Sequence, residues 1–395
     1  MTERASALGQ GRISALIAHI RMDGWLSPSR ARTYGRLLAI YSLLLGIVLT
    51  GIYIKGALDD PQGRPLSTDF NAYWSAACLA LRGQSELAYN PPALHAEEAV
   101  GAQQPQHLPF MYPPTFLLLC MKLGLLPYLP AVAVFVLGGY ALAAATLRRI
   151  VPPGWTLLPF LGFPAAVLNA ISTQNGSYSA ACLGGAMLLL ERRPALAGAL
   201  LGGFIAKPQL GICIPVALAA ARRWTALTAC AATTGAIVLA SWAVLGGNTW
   251  RAFAAFIPAT RAISQSPNVW GSGVSVYAAA RILGAGADWA YAYQGAAALT
   301  AILGLAWTCA RRPGAGAEMA AMACAGLLCT PYLMDYDLVC LAAPMAWILR
   351  EAAGGWRPWE KAVLQLAYAY PLAARALTIS AGLPVTPLVM GAMLA

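Results

Sequence analysis

A chain of 395 residues that is 59% hydrophobic and only 10% charged lies outside the composition of soluble globular domains and reads as a polytopic membrane protein. Its formal net charge of +11 is concentrated in pairs beside apolar runs, Arg148-Arg149, Arg192-Arg193, Arg222-Arg223 and Arg311-Arg312, so it reads as membrane topology and not as nucleic-acid binding. Nine cysteines without a C-x-x-C pair and only three histidines offer neither a disulfide framework nor a zinc or histidine-rich metal site.

Residues 1–36 carry six Arg and two acids and no apolar core. They read as a cytoplasmic basic arm, not as a cleavable signal peptide. Residues 37–394 read as one transmembrane domain whose first apolar run, 37–56, is long enough to cross ~30 Å of hydrocarbon. An outer segment over 57–112 follows, with Asp59, Asp60, Asp69, Glu86, Glu97 and Glu98 against only Arg64 and Arg82. Within it Phe70, Tyr73, Trp74, Ala77, Cys78 and Leu81 have the spacing of a helical stripe that Gly83 ends. The pattern predicts a short helix lying on the membrane, with Tyr73 and Trp74 at headgroup depth. A second short helix is expected over 93–100.

Apolar runs recur over 114–127, 130–147, 154–171, 177–190, 195–206, 208–221, 224–245, 289–310, 318–333, 336–349, 360–380 and 384–394. The expectation is an all-α protein with roughly 10–13 membrane helices, short or re-entrant ones included. Inner arginine pairs put residues 174–175, Lys207, a second outer loop over 246–288 and residues 331–337 on the outer side with Asp69. An outer residue 112 and an inner Arg148 are not joined by two full crossings. Either 114–127 or 130–147 is then re-entrant, or Arg148-Arg149 breaks the charge rule.

Asp69, in Ser67-Thr68-Asp69-Phe70-Asn71-Ala72-Tyr73-Trp74, has two compatible readings. Thr68 or Asp69 caps the helix starting at Phe70, or the carboxylate, ionised at neutral pH, takes a proton from an attacking hydroxyl. Lys207 interrupts a long apolar stretch next to Pro208, where a charge costs roughly 2.5–3.5 kcal/mol on insertion scales. It either snorkels to the interface or binds a phosphate whose lipid tail lies in the membrane. Gln174-Asn175-Gly176 is a polar turn or a sugar contact. Asp335 and Asp337 cap the next run or line the cavity. Arg251, Arg261 and Arg281 oppose the positive-inside trend, which phosphate contacts or plain solvation explain.

Ordered blocks carry a resemblance. They are Thr68-Asp69-Phe70-Asn71-Ala72-Tyr73-Trp74 with Leu81-Arg82-Gly83, Tyr112-Pro113-Pro114 with Leu125-Leu126-Pro127, Gln174-Asn175-Gly176, Arg193-Pro194-Ala195-Leu196-Ala197-Gly198, Lys207-Pro208-Gln209, and Pro331-Tyr332 with Tyr336-Asp337. Over roughly residues 65–350 the chain resembles membrane glycosyltransferase family 87, which includes mannosyltransferases. The resemblance implies a GT-C fold and inverting transfer of a sugar, mannose or another hexose or pentose, from a polyprenyl-phosphate donor. The acceptor is a lipid or glycan on the outer face of a bacterial-type plasma membrane, and neither cofactor nor metal is expected. Asp69 matches the family's catalytic acid. Lys207 and Arg261 are expected at the donor phosphate, and Tyr73, Tyr112, Gln174, Asn175, Gln209, Tyr336 and Asp337 at substrate. Some members carry a functional His late in the chain, where this sequence reads Leu333-Met334-Asp335-Tyr336-Asp337. Its expected partners are the lipid-linked donor, the acceptor and membrane lipids, with no nucleic acid. The competing expectation is a transporter or flippase of lipid-linked sugars that breaks no bond.

Overall fold

The computed structural model describes residues 28–394 apart from 63, 104–107 and 153–156, so most of the expected basic arm lies outside the described residues. Within them the chain is helical, with one isolated bridge between Leu66 and Gln103 and no sheet. Among the described residues four helices are long and apolar enough to cross a membrane: Arg32–Asp59, Tyr128–Ile150, Trp224–Ser264 and Glu360–Ala381. Ile47, Leu137, Leu239, Trp242 and Leu303 are among the large apolar side chains left exposed. A soluble protein does not carry so wide an apolar belt, which here faces lipid. The chain is an all-α polytopic membrane protein.

Shorter apolar helices fill the space between the long ones, and proline sets many of their starts. Pro114, Pro164, Pro194 and Pro208 each open a helix, where the missing N–H costs nothing and the fixed φ is already helical. The expected runs 195–206 and 208–221 are accordingly broken into Pro194–Gly202, Gly203–Ala206, Pro208–Gly211 and Ile214–Ala220.

The run 114–127 becomes a helix over Pro114–Cys120 and a 3-10 turn over Met121–Leu125, roughly 18 Å in all and too short to cross, whereas Tyr128–Ile150 at roughly 34 Å is long enough. The topological conflict over these two runs therefore resolves in favour of a short first segment. The expected second outer loop over 246–288 differs more. Much of that stretch is helical: Gly246 leaves helical backbone at φ 79° and ψ 161°, which breaks the chain into two helices across a kink, and the second of them runs on to Ser264.

All four arginine pairs meet at one end of the bundle. Gly139 lies against Tyr178 while Gly184 lies against Thr146 and Ile150, so Tyr128–Ile150 and Gly176–Leu189 run parallel and deliver Arg148-Arg149 and Arg192-Arg193 together. Arg223 then forks across Glu191 at 2.5 Å and the buried Glu318 at 3.0 Å, and Glu191 also accepts the Ala315 N–H at 3.1 Å. These contacts join the loops that carry Arg222-Arg223 and Arg311-Arg312. Gln174 and Asn175 precede the opposite end of the Gly176–Leu189 helix, about 20 Å away.

The Phe70–Leu81 helix corrects one expectation. Phe70, Ala72, Tyr73, Ser75, Ala76, Ala77, Leu79 and Ala80 are all buried, so protein encloses the helix on nearly every side. Tyr73 is 2% exposed and sits inside the fold instead of at headgroup depth. Small residues on the remaining faces let neighbouring segments close in, as where the Trp74 indole N–H reaches the Leu126 carbonyl at 3.0 Å. Ser85 ties the same outer segment to the kink, donating to the Leu245 carbonyl at 3.1 Å.

Candidate functional site

Four separate segments bring their polar residues together at the end opposite the arginines. Asp69 occupies the N-cap position of the Phe70–Leu81 helix, yet its side chain caps nothing. The free Phe70 N–H instead donates to Thr173 Oγ1 at 3.1 Å. A distant loop therefore does the capping, which leaves the Asp69 carboxylate to accept the Gln174 Nε2–H at 2.5 Å.

Thr173 has φ 51°, left-handed backbone that a β-branched residue adopts at a cost of order 1–3 kcal/mol. Its Oγ1 lies 2.9 Å from Thr68 Oγ1 and 2.8 Å from the Ser172 carbonyl, contacts that hold the strained turn. The turn aims Gln174 at Asp69. Gly176 follows because a Cβ there would meet Asn169 Nδ2 at 2.5 Å and Val339 Cγ1 at 2.7 Å.

The Gln174 amide is read at both ends. Its Oε1 lies 2.8 Å from the Tyr73 hydroxyl and 3.1 Å from that of Tyr112, and the two hydroxyls are 2.9 Å apart. Two hydroxyl protons serve three edges, so the triangle holds more than one hydrogen-bond arrangement. Phe110, Phe116, Phe70 and Phe135 pack around the Tyr73 ring. Burial pushes the Asp69 carboxyl above its ordinary value. The Gln174 hydrogen bond opposes the rise, as do the charges of Arg375 and Lys207, while Asp337 adds to it.

Lys207 stands where Pro208 interrupts the helices. The residue before proline avoids helical backbone, and at φ −138° and ψ 67° Lys207 turns its side chain inward. Its Nζ donates to Asp337 Oδ1 at 2.5 Å and Asn175 Oδ1 at 3.2 Å and lies 5.8 Å from the Tyr336 ring centre. Both members of the ion pair are buried. The ammonium thus has its counter-charge inside the fold, and it does not snorkel. Asp337 Oδ2 also accepts the Met334 N–H at 3.2 Å.

Asp69, Gln174, Asn175, Lys207 and Asp337 thus form two hydrogen-bonded groups joined through the adjacent residues 174 and 175. Tyr73, Tyr112 and Tyr336 belong to the same cluster. Gln209 is half-buried beside Lys207 and supplies none of these hydrogen bonds. Arg261 makes none of them either; its guanidinium lies 5.4 Å from the Tyr291 ring centre, near the Tyr291–Tyr332 hydroxyl pair at 3.1 Å.

One residue was not singled out from sequence. Arg375, on the Glu360–Ala381 helix, pairs with the buried Asp335 at 3.3 Å while its own side chain is 51% exposed. An arginine inside an apolar run was the available signal. Among the described residues no three of His, Cys, Asp and Glu gather as a metal site.

A family model described as glycosyltransferase family 87 matches residues 110–331, more than half of the chain. Searches of curated proteins and of solved structures return no match. The matched span includes Tyr112, Gln174, Asn175, Lys207, Gln209 and Arg261. Asp69, Tyr336, Asp337 and Arg375 lie beyond it.

Proposed function

Because the chain belongs to glycosyltransferase family 87, we propose that it transfers a sugar from a polyprenyl-phosphate donor to a lipid or glycan acceptor, with inversion and with Asp69 as general base. Membership of a family of transferases displaces the transporter reading. The observation that carries the catalytic assignment is the state of Asp69: a largely buried carboxylate whose hydrogen-bond partner is a neutral amide and whose neighbouring acid, Asp337, already has a lysine. An acid so placed keeps the capacity to take a proton that a salt-bridged one loses.

In this reading Asp69 accepts the acceptor hydroxyl's proton as that oxygen forms its bond to the anomeric carbon. The bond from that carbon to the phosphate oxygen breaks on the opposite face, and the lipid phosphate leaves with the electron pair. Arg375, half-exposed beside Asp335, offers fork-shaped donors to that phosphate. Lys207 holds Asn175 and Asp337 in place and adds positive potential, while Arg261, over Tyr291, is kept out of this step. Tyr73, Tyr112, Gln174 and Tyr336 line the sugar's side of the cluster. The arginine-rich end faces the cytoplasm of a bacterial-type plasma membrane by the positive-inside rule, which puts Asp69 on the extracytoplasmic face.

The test is Asp69→Asn, purified in detergent and supplied with polyprenyl-phosphate sugars and candidate acceptors. Positioned base catalysis is worth about 10²- to 10⁴-fold, and the variant is expected to lose that much product formation with an unchanged melting temperature. Near-normal turnover would remove Asp69 from the reaction.

A further inference from the structure

A cavity of about 320 Å³ opens at the arginine-rich end, remote from Asp69. It lies between the start of the Pro28–Asp59 helix, the end of Tyr128–Ile150, the Ala342–Glu351 helix and the start of Glu360–Ala381. Leu147, Phe160, Met345, Leu349 and Leu364 are among its walls. The Tyr368 hydroxyl is engaged by the Pro159 carbonyl at 2.7 Å. Arg32, Lys361 and Gln365 supply the polar side chains of the lining. Lys361 lies near the Trp356 ring, 5.9 Å from its centre, a lysine and tryptophan pairing suited to headgroup depth.

The volume falls in the range of ligand pockets, roughly 300–1,000 Å³, and the walls give water too few hydrogen bonds to be a good occupant. At a lipid boundary the natural filling is an acyl chain. The charge around the mouth selects the headgroup. Arg148, Arg149 and Arg350 stand on the elements that form the cavity and Arg357 in the link before Glu360–Ala381, in addition to Arg32 and Lys361, against Glu351 and Glu360. Glu360 is itself engaged, accepting the Arg357 N–H at 2.9 Å.

We propose that this cavity holds one acyl chain of an anionic phospholipid whose phosphate is met by Arg32 and Lys361. The site is independent of the sugar-transfer cluster. It bears on that cluster only because one wall, Ala342–Glu351, directly continues the 3-10 turn that carries Asp335 and Asp337. A bound lipid braces that turn from behind.

The experiment uses the full chain in neutral detergent with phosphatidylglycerol or phosphatidylcholine, read by native mass spectrometry and by thermal shift. One phosphatidylglycerol is expected to be retained about thirtyfold more tightly than phosphatidylcholine, since each of the two basic residues near an anionic headgroup contributes about 1 kcal/mol. Arg32→Gln with Lys361→Gln is expected to erase that preference. Ala346→Trp, which fills the cavity, is expected to lose the retained lipid of either kind. Equal retention of both lipids by the unaltered chain would overturn the proposal, as would an undiminished preference in the double variant. Retention that arises only after deletion of residues 2–27 would identify the N-terminal segment as the occupant and overturn it as well.

Discussion

The two ends of the bundle both bury an acid beside a cation, and they do so differently. At the arginine-rich end Arg223 spreads its fork over Glu191 and Glu318, with contacts of 2.5–3.1 Å. The planar guanidinium is matched donor for acceptor, and Glu191 opens to solvent. At the other end Lys207 and Asp337 are both almost fully buried, the ammonium's second acceptor is a neutral asparagine, and Asp69 nearby has a glutamine in place of a cation. The first arrangement is closed and structural. The second leaves an acid under-compensated in a strained setting, which is what a site of proton transfer needs and a mere staple does not.

Breaking each pair is the strongest way to separate them. Removing one partner of a fully buried ion pair leaves an uncompensated charge and costs about 3–5 kcal/mol. Lys207→Met is expected to show that loss in thermal melts and, because Asn175 and the Asp337 turn lose their anchor, to abolish transfer. Arg223→Met strands the buried Glu318 and is expected to cost a similar amount, about 3–5 kcal/mol, yet to leave the rate per folded molecule within about twofold of the original. Melting temperatures and kcat values for the two variants decide the matter. A catalytically silent Lys207→Met that folds would make both ends structural.

Glu98 sharpens the same comparison from a third position. It is 1% exposed, and among the described residues its carboxylate oxygens have no basic partner such as Glu318 has in Arg223. Burial pushes its carboxyl from 4.5 to about 7, against a weaker opposing contact from the Leu108 backbone. The folded chain therefore binds more protons than the unfolded chain between those values, so stability falls as pH rises from about 4.5 to 7. Glu98→Gln is expected to flatten that decline, retaining about 2 kcal/mol more than the parent at pH 8. Melting curves from pH 5 to 8 check it, and parallel declines in both proteins would mean that Glu98 is compensated after all.

Much of this was legible from sequence because polar residues inside apolar runs are conspicuous. Lys207 interrupts an apolar stretch, Gln174, Asn175 and Asp337 sit at the borders of such runs, Asp69 lies in the acidic outer segment, and ordering by charge put them on one side. Their pairing was not legible, since Lys207 and Asp337 are 130 residues apart and a helical stripe does not say what it faces. Phe70–Leu81 shows the same limit: a 3.6-residue apolar period is equally met by lipid and by packed protein, and its buried alanines and serine settle the matter only in three dimensions. Arg375 was missed because it lies in a run read as a plain span, beyond the last matching block. The helix past Gly246 was missed because one glycine is as good a kink as a terminus.

The smallest expected effect is also the most direct reading of the under-compensated acid. Gln174→Met keeps the length of the side chain and removes the amide that donates to Asp69. Without that donation burial dominates, so the Asp69 carboxyl moves further above the ordinary carboxylate value. A general base works only when ionised, so the rate of the parent falls as pH falls through its raised value, and in the variant that fall begins at higher pH. A charge-stabilising hydrogen bond of about 1.5 kcal/mol corresponds to roughly one pH unit of displacement. Below the limb the variant should then be slower by about tenfold, converging on the parent at alkaline pH apart from any loss of sugar contact. Initial rates across pH 4 to 9 with saturating donor measure the displacement. An acid limb that stays in place would show that the amide serves only Tyr73 and Tyr112, and one that moves to lower pH would reverse the sign assigned to it.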